Sequence, residues 1–128
     1  MKRNLNWLSL IVILLLPLLA FAASDIYRPV DYEEVTVDNT SGGVALTAAK
    51  YLSGSKILAD FAMITVTDAA INYSVTSTVP TSSVGVPVLP YGVFVLGTFD
   101  EIKAFRAIRT GGVSGKVRVQ YYKWYPNR

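Results

Sequence analysis

From residue 35 onward the chain is rich in Val, Thr, Ile and Tyr, set in short runs that Gly, Pro, Ser and Asn repeatedly interrupt. β-branched and aromatic side chains suit a pleated, half-buried surface, and the interruptions are turn formers, so the pattern specifies an all-β domain with frequent turns. A strand begins over residues 34–37, a loop follows over 38–43, and residues 44–50 form a short extended piece. Residues 59–67 place Ala62, Ile64 and Val66 on one face and Phe61, Met63 and Thr65 on the other, which marks a central strand covered on both sides. After a tight connection at 68–69, Ile71, Tyr73 and Val75 alternate with Asn72, Ser74 and Thr76, giving one buried and one wet face. Residues 77–90 hold three prolines and a glycine, so they support only short edge strands across one end of the domain. Pro90 and Gly92 suit the second and fourth positions of a type I turn over 89–92, and a strand follows at 93–96. Thr98 and Glu101 have capping-box spacing, which predicts one helical turn, the single helix of the mature domain. Residues 106–110 and 116–123 are expected to pair as a hairpin around the glycines of 111–115. Seven or eight short strands without βαβ spacing specify an antiparallel β-sandwich of jelly-roll or immunoglobulin-like size. Its expected core is Ile64, Val66, Ile71, Tyr73, Val75, Val93, Val95, Ile108, Val117 and Val119.

The first residues obey other rules. Lys2 and Arg3 precede an almost wholly apolar stretch over 7–19, and Ala20 and Ala22 stand three and one before a cleavage point, the layout of a secretory signal. Residues 1–22 are therefore expected to be an apolar helix that is removed on export. The alternative is a retained anchor, although the stretch is shorter than the ~20 apolar residues that span a bilayer comfortably. A membrane is a partner only in that case. Residues 23–34 are expected to be a flexible arm, and residues 35–128 the sandwich domain. The exported protein would be periplasmic, extracellular or on a particle surface.

The 128 residues include no Cys and no His, which removes disulfides, Cys-rich zinc sites, thiol nucleophiles and imidazole acid–base chemistry. No cofactor is expected. Glu33-Glu34 and Asp100-Glu101 are adjacent, and neighbours on a strand point to opposite faces, so neither pair forms a glycosidase couple. Ser82 and Ser83 have no imidazole to activate them, and an Asx turn accounts for Asp38, Asn39 and Thr40 without a calcium ion. No catalytic or metal site is assigned, and the expectation is a protein without enzymatic activity.

Charge is distributed unevenly. Residues 23–101 hold all 9 acids and 3 bases, whereas 102–128 hold 7 bases and no acid. Such polarity either serves contact with an oppositely charged neighbour or is neutralised within the fold. The C-terminal strand carries the most suggestive cluster. With Val117, Val119 and Tyr121 facing the core, Lys116, Arg118, Tyr122 and Trp124 share the outer face. An exposed cationic and aromatic stripe anchors a protein partner or stacks on sugar rings, unless Trp124 and Tyr125 fold over the sandwich as lids. The candidate interface is Arg106, Arg109, Arg118, Tyr122 and Trp124.

The segments LTAAKY (46–51), AINYSVTSTVPTSSVG (70–85) and FRAIRTGGVSGKVRVQYY (105–122) resemble a family of small tailed-phage virion proteins, in order and across most of the mature chain. Ser77 and Thr78 stand where the family pattern has Asp-Gly. The resemblance implies a β-sandwich structural or decoration component. The expected function is accordingly a non-enzymatic assembly protein that associates through its C-terminal hairpin with copies of itself or with a larger structural protein. The alternative is an exported module that holds a glycan by the same aromatics, with Asn72 and Thr76 as minor contributors. Export argues against a nucleic-acid partner.

Overall fold

A computed structural model describes residues 26–126. The expected signal segment lies outside the described residues. Nine strands and two short helices follow in the order β1 (Ile26–Val37), α1 (Ala48–Tyr51), β2 (Leu52–Ser53), β3 (Lys56–Ile57), β4 (Phe61–Thr67), β5 (Ile71–Ser74), β6 (Val86–Val88), β7 (Val93–Leu96), α2 (Phe99–Ala104), β8 (Arg106–Arg109) and β9 (Gly115–Tyr125). They form a four-stranded sheet in the order β1-β9-β4-β7, a three-stranded sheet in the order β6-β5-β8, and a small β2-β3 ribbon. Val44 adds an antiparallel bridge to Ala107 on the outer side of β8. The fold is an all-β sandwich.

Alternation decides which side chains enter the space between the sheets. Ala62, Ile64 and Val66 of β4 and Val117, Val119 and Tyr121 of β9 are buried in register, Ile64 opposite Val119 and Val66 opposite Val117. Ile71 and Ala107 meet them from the second sheet, and Ile102, Phe105, Leu46 and Tyr51 close the ends. Tyr73 of β5 stacks on Phe94 of β7 at 4.3 Å between ring centroids and on Phe105 at 5.8 Å, an aromatic column that ties one sheet to the other.

Several expectations are corrected. Residues 26–34 are not a free arm; they are the first three quarters of β1, whose inner face buries Glu33 and Val37. Residues 106–110 and 116–123 do not form a hairpin. β8 pairs with β5 and β9 with β4, so the intervening glycines carry the chain from one sheet to the other. In β7 the inward residues are Phe94 and Leu96, while Val93 and Val95 face solvent. The 89–92 turn is type II, not type I: Tyr91 has φ +67, and Gly92 N donates to Leu89 O at 3.0 Å. Tyr91 N donates to Val66 O, and Val66 N donates to Gly92 O, so two residues oppose one and β7 begins at a bulge. The face of β5 expected to be wet is covered by the 76–85 connection. Pro80 is fully buried, Asn72 Nδ2 donates to Thr81 O at 2.9 Å, and a Cβ at Gly85 would stand 2.9 Å from Tyr73 O. The helix at α2 is capped as expected: Thr98 Oγ1 accepts from Glu101 N at 3.2 Å, while Glu101 Oε2 accepts from Gly97 N at 2.6 Å. It is not the single helix, since α1 precedes it.

Candidate functional site

The outer face of the four-stranded sheet carries the side chains that alternation turns away from the core. Along β9 these are Lys116, Arg118, Gln120, Tyr122 and Trp124, with Arg118 and Trp124 exposed. Cross-strand register places Arg118 opposite Thr65, Gln120 opposite Met63 and Tyr122 opposite Phe61. On the far side of β4, Met63 lies opposite Val95 and Thr65 opposite Val93. The face therefore grades from charged at β1 and β9 to apolar at β7.

The charged half is internally paired. Glu34 Oε2 accepts from Arg118 Nε at 3.0 Å and Glu34 Oε1 lies 3.4 Å from Lys116 Nζ, which also stands 3.7 Å from Asp68. The Arg118 guanidinium holds the Glu34 carboxyl below its ordinary range, and Glu34 in turn raises Arg118. Asp60 organises the end of the strand, accepting from Lys123 Nζ and from Trp124 N, each at 2.8 Å. The ion pairs of Glu34, Asp68 and Asp60 with Lys116, Arg118 and Lys123 join the acidic first part of the chain to the basic last part. Of the two outcomes open for the charge asymmetry, the fold displays internal neutralisation.

The aromatic half is also partly committed. Tyr122 stacks on Phe61 at 4.6 Å with the rings 3° from parallel, and Tyr27 meets Phe61 edge-on at 4.8 Å. Trp124 keeps 41% of its surface exposed, so it is no lid on the sandwich.

The five sequence candidates do not form one patch. Arg118, Tyr122 and Trp124 share the outer face of β9. Arg106 and Arg109 lie on β8 in the other sheet and donate to main-chain carbonyls, Arg106 to Phe105 O at 2.7 Å and Arg109 to Gly112 O at 3.0 Å. Arg106 also lines a groove of about 320 Å³ with Gly42, Ala104 and residues 76–79. β9 itself is an interior strand between β1 and β4, so its backbone is fully occupied and only its side chains reach a partner.

A buried ionisable cluster lies where β1 meets β9. Tyr121 Oη donates to Glu33 Oε1, which also accepts from Thr47 N at 3.1 Å. Burial first, and then the hydrogen bond to Glu33, push the Tyr121 phenol far above its ordinary range. Beside it Asp31 accepts from Lys50 Nζ at 2.9 Å, which lowers Asp31. Both Tyr121 and Glu33 are occupied by structural partners. Asn72, a minor sugar candidate, is buried and bonded to the 76–85 connection, so it is closed to a ligand. Sequence reasoning missed the surface at β7, because Val93, Phe94, Val95 and Leu96 are all apolar and show no alternation to assign a face.

Among the described residues no helix is long and apolar enough to cross a membrane, and no group of three or more acidic side chains is placed to hold a metal ion. No protein-family model, curated protein or solved structure matches the chain.

Proposed function

We propose that this protein is an exported, non-enzymatic assembly subunit, a virion-like decoration protein or a component of a particle or filament surface. The sandwich is of the jelly-roll kind. With Val44 counted as the strand beside β8, each sheet has four members, and the orders β1-β9-β4-β7 and Val44-β8-β5-β6 cross repeatedly between sheets as two Greek keys do. Jelly rolls serve as capsid and lectin domains, but a fold does not assign a function, so the reading rests on the surface.

The observation that carries it is the open outer face of the four-stranded sheet. Among the described residues no element covers it, and Arg118 and Trp124 stand exposed along β9, with Met63, Val93 and Val95 exposed on the neighbouring strands. Aromatic and arginine side chains on a rigid sheet dock at low cost in conformational entropy, the composition expected of an interface centre. Glu33, Asp31, Glu34 and Asp60 are bound to Tyr, Lys, Arg or main-chain donors. The contact set on this face is Arg118, Tyr122 and Trp124, and the partner is a copy of the chain or a larger structural protein.

Arg118→Ala combined with Trp124→Ala tests the reading. Both side chains are exposed and the Arg118–Glu34 pair is a surface one, so the variant should melt only a few degrees below the parent protein and yet fail to associate in light scattering over a concentration series or with particles in a co-sedimentation assay. Unchanged association and co-sedimentation would overturn it. The rival glycan reading is favoured by the exposed Trp124 ring, and a saturable quench of Trp fluorescence by an oligosaccharide, with the protein staying monomeric, would establish it in place of assembly.

A further inference from the structure

We infer that the free edge of β7 is a homotypic docking site, at which two copies of this chain pair β7 to β7 in antiparallel fashion and join their four-stranded sheets into one. The inference rests on the assembly reading and supplies its partner and geometry.

Sheet edges are ordinarily guarded against such pairing by charge, proline or cover. Of the four edges of the two larger sheets, three are guarded. β1 carries Arg28, Pro29, Asp31 and Glu34; β6 carries Pro87 in the middle of its three residues; β8 carries Arg106 and Arg109 and is bridged by Val44. β7 has no charge and no proline, and among the described residues no strand covers its edge. Between Asp68 and Asp100 the chain contains no charged residue at all, and this stretch supplies β5, β6, β7 and their connections. One side of the sandwich is therefore uncharged.

The hydrogen-bond phase of β7 is readable from its first contacts. Val66 is bonded through both N and O to Gly92 and Tyr91, so by antiparallel alternation Ile64 and Ala62 hold the bonded positions opposite Phe94 and Leu96. The N–H and C=O groups of Val93 and Val95 then point away from β4 along the open edge. A second β7 related by a two-fold axis at Phe94 sets Val93 against the partner's Val95 and Val95 against the partner's Val93, with two reciprocal pairs of backbone hydrogen bonds.

The side chains suit the same occupant. Leu89 is 73% exposed, Tyr91 83%, Val93 59% and Val95 56%. Together they present on the order of 550 Å², at the top of the range usual for the largest apolar patch on a monomer and a large share of the ~800 Å² each partner contributes to a standard interface. An uncharged edge is matched by another uncharged edge, and the one that the two larger sheets offer among the described residues is β7 itself. Tyr91 adds a second sign. It holds the left-handed conformation that glycine adopts without strain, at a bulge where its ring is almost wholly in solvent. A strained, exposed tyrosine at the end of an unguarded edge serves no packing role in the isolated chain.

The test uses the protein recovered from an export host, its N terminus fixed by intact mass. Sedimentation velocity and amide hydrogen exchange are recorded over a concentration series for wild type, Val93→Lys/Val95→Lys and Arg118→Ala/Trp124→Ala. Lysine at 93 and 95 projects into solvent in the monomer and places like charges opposite one another in the pair. The expected result is a dimer whose Val93 and Val95 amides gain protection with concentration, and at least about a tenfold weaker association for the lysine variant with unchanged circular dichroism. A wild type that stays monomeric at every concentration overturns the inference. So does a wild-type oligomer that the lysine substitutions leave intact. If that oligomer is instead lost in Arg118→Ala/Trp124→Ala, the assembly reading stands while the β7 site falls. If the lysine variant alone dissociates, the β7 site stands and the β9 face is not the self-contact.

Discussion

Removing the Tyr121 hydroxyl isolates the buried hydrogen bond between a phenol and a carboxyl group in the sandwich. Tyr121 is fully buried and Glu33 is 9% exposed, so Tyr121→Phe leaves the ring packing in place but deprives a nearly dry carboxylate of its phenol donor. Thr47 N remains as the other partner of the same oxygen. A hydrogen bond to a charged group contributes about 1.5–3 kcal/mol, and desolvation of the abandoned carboxylate puts this case in the upper part of that range, about 2–3 kcal/mol. For a domain of this size that lowers Tm by roughly 10–20 °C, since each kcal/mol moves Tm by about 4–8 °C. Glu33→Gln retains an acceptor for both donors and should cost much less. The pH profile gives an independent readout. The folded pKa of Tyr121 is raised above its unfolded value, so its stabilising contribution is complete below about pH 10 and declines as pH rises beyond that, because the unfolded chain releases the proton first. The decline is about 1.4 kcal/mol per pH unit for one proton. Tyr51 and Tyr73, also raised by burial, add to the same alkaline slope. Urea unfolding monitored between pH 7 and 11 should show the wild-type slope reduced by about one proton in Tyr121→Phe. A loss under about 0.5 kcal/mol at neutral pH, or an unchanged alkaline slope, would refute the assignment of Tyr121 as the donor that holds Glu33.

Two further perturbations probe the frame. A Cβ at Gly115 would stand 2.6 Å from Ala69 O and 2.7 Å from Ile71 Cγ2, so Gly115→Ala should destabilise by about 1–3 kcal/mol in chemical unfolding, with the shift concentrated where β9 enters the sheet. In acid, Asp31, lowered chiefly by Lys50, Glu34, lowered chiefly by Arg118, and Asp38, lowered chiefly by the Thr40 hydroxyl, contribute stability that is present above the unfolded carboxylate range. Stability should be level between about pH 5 and the onset of the tyrosine-linked alkaline decline, and fall below about pH 4 as these groups are protonated, and the fall should shrink in high salt, which screens the exposed pairs.

How far the chain could be read follows from where alternation is present. In β4 and β9 small or apolar residues alternate with polar or bulky ones, and Ile64, Val66, Val117 and Val119 are indeed core. The Thr98–Glu101 cap was legible because its chemistry is local, three residues and two hydrogen bonds. The hairpin expected between 106–110 and 116–123 failed for the opposite reason. Glycines permit a turn, but which strands pair is decided by long-range burial, and Ala107 and Val119 find their partners in different sheets. Asn72 and Ser74 looked like a wet face because a covering loop leaves no periodic trace; only the buried Pro80 explains them. Residues 26–34 read as an arm because β1 buries polar Glu33 against Tyr121, which lies far away in sequence.

The placement of charge then links fold to association. Had the acidic and basic parts remained apart, electrostatics would have supplied steering and a salt-sensitive interface. Instead Glu34, Asp68 and Asp60 take up Lys116, Arg118 and Lys123 within one molecule, which ties edge strand β1 to the central strand β9 and spends the polarity on the fold. What the surface retains for a partner is largely uncharged: the exposed rings and valines from Trp124 across to Val95. Association through it should therefore be driven by apolar burial and be insensitive to salt between low and moderate ionic strength, whereas the acid-sensitive step is the loosening of β1. Those two dependences are separable in one experiment, because salt would leave the oligomer intact at neutral pH while mild acid exposes β1 to exchange before β7 is released. Dissociation by moderate salt at pH 7 would instead place the contact on the paired charges of β1 and β9.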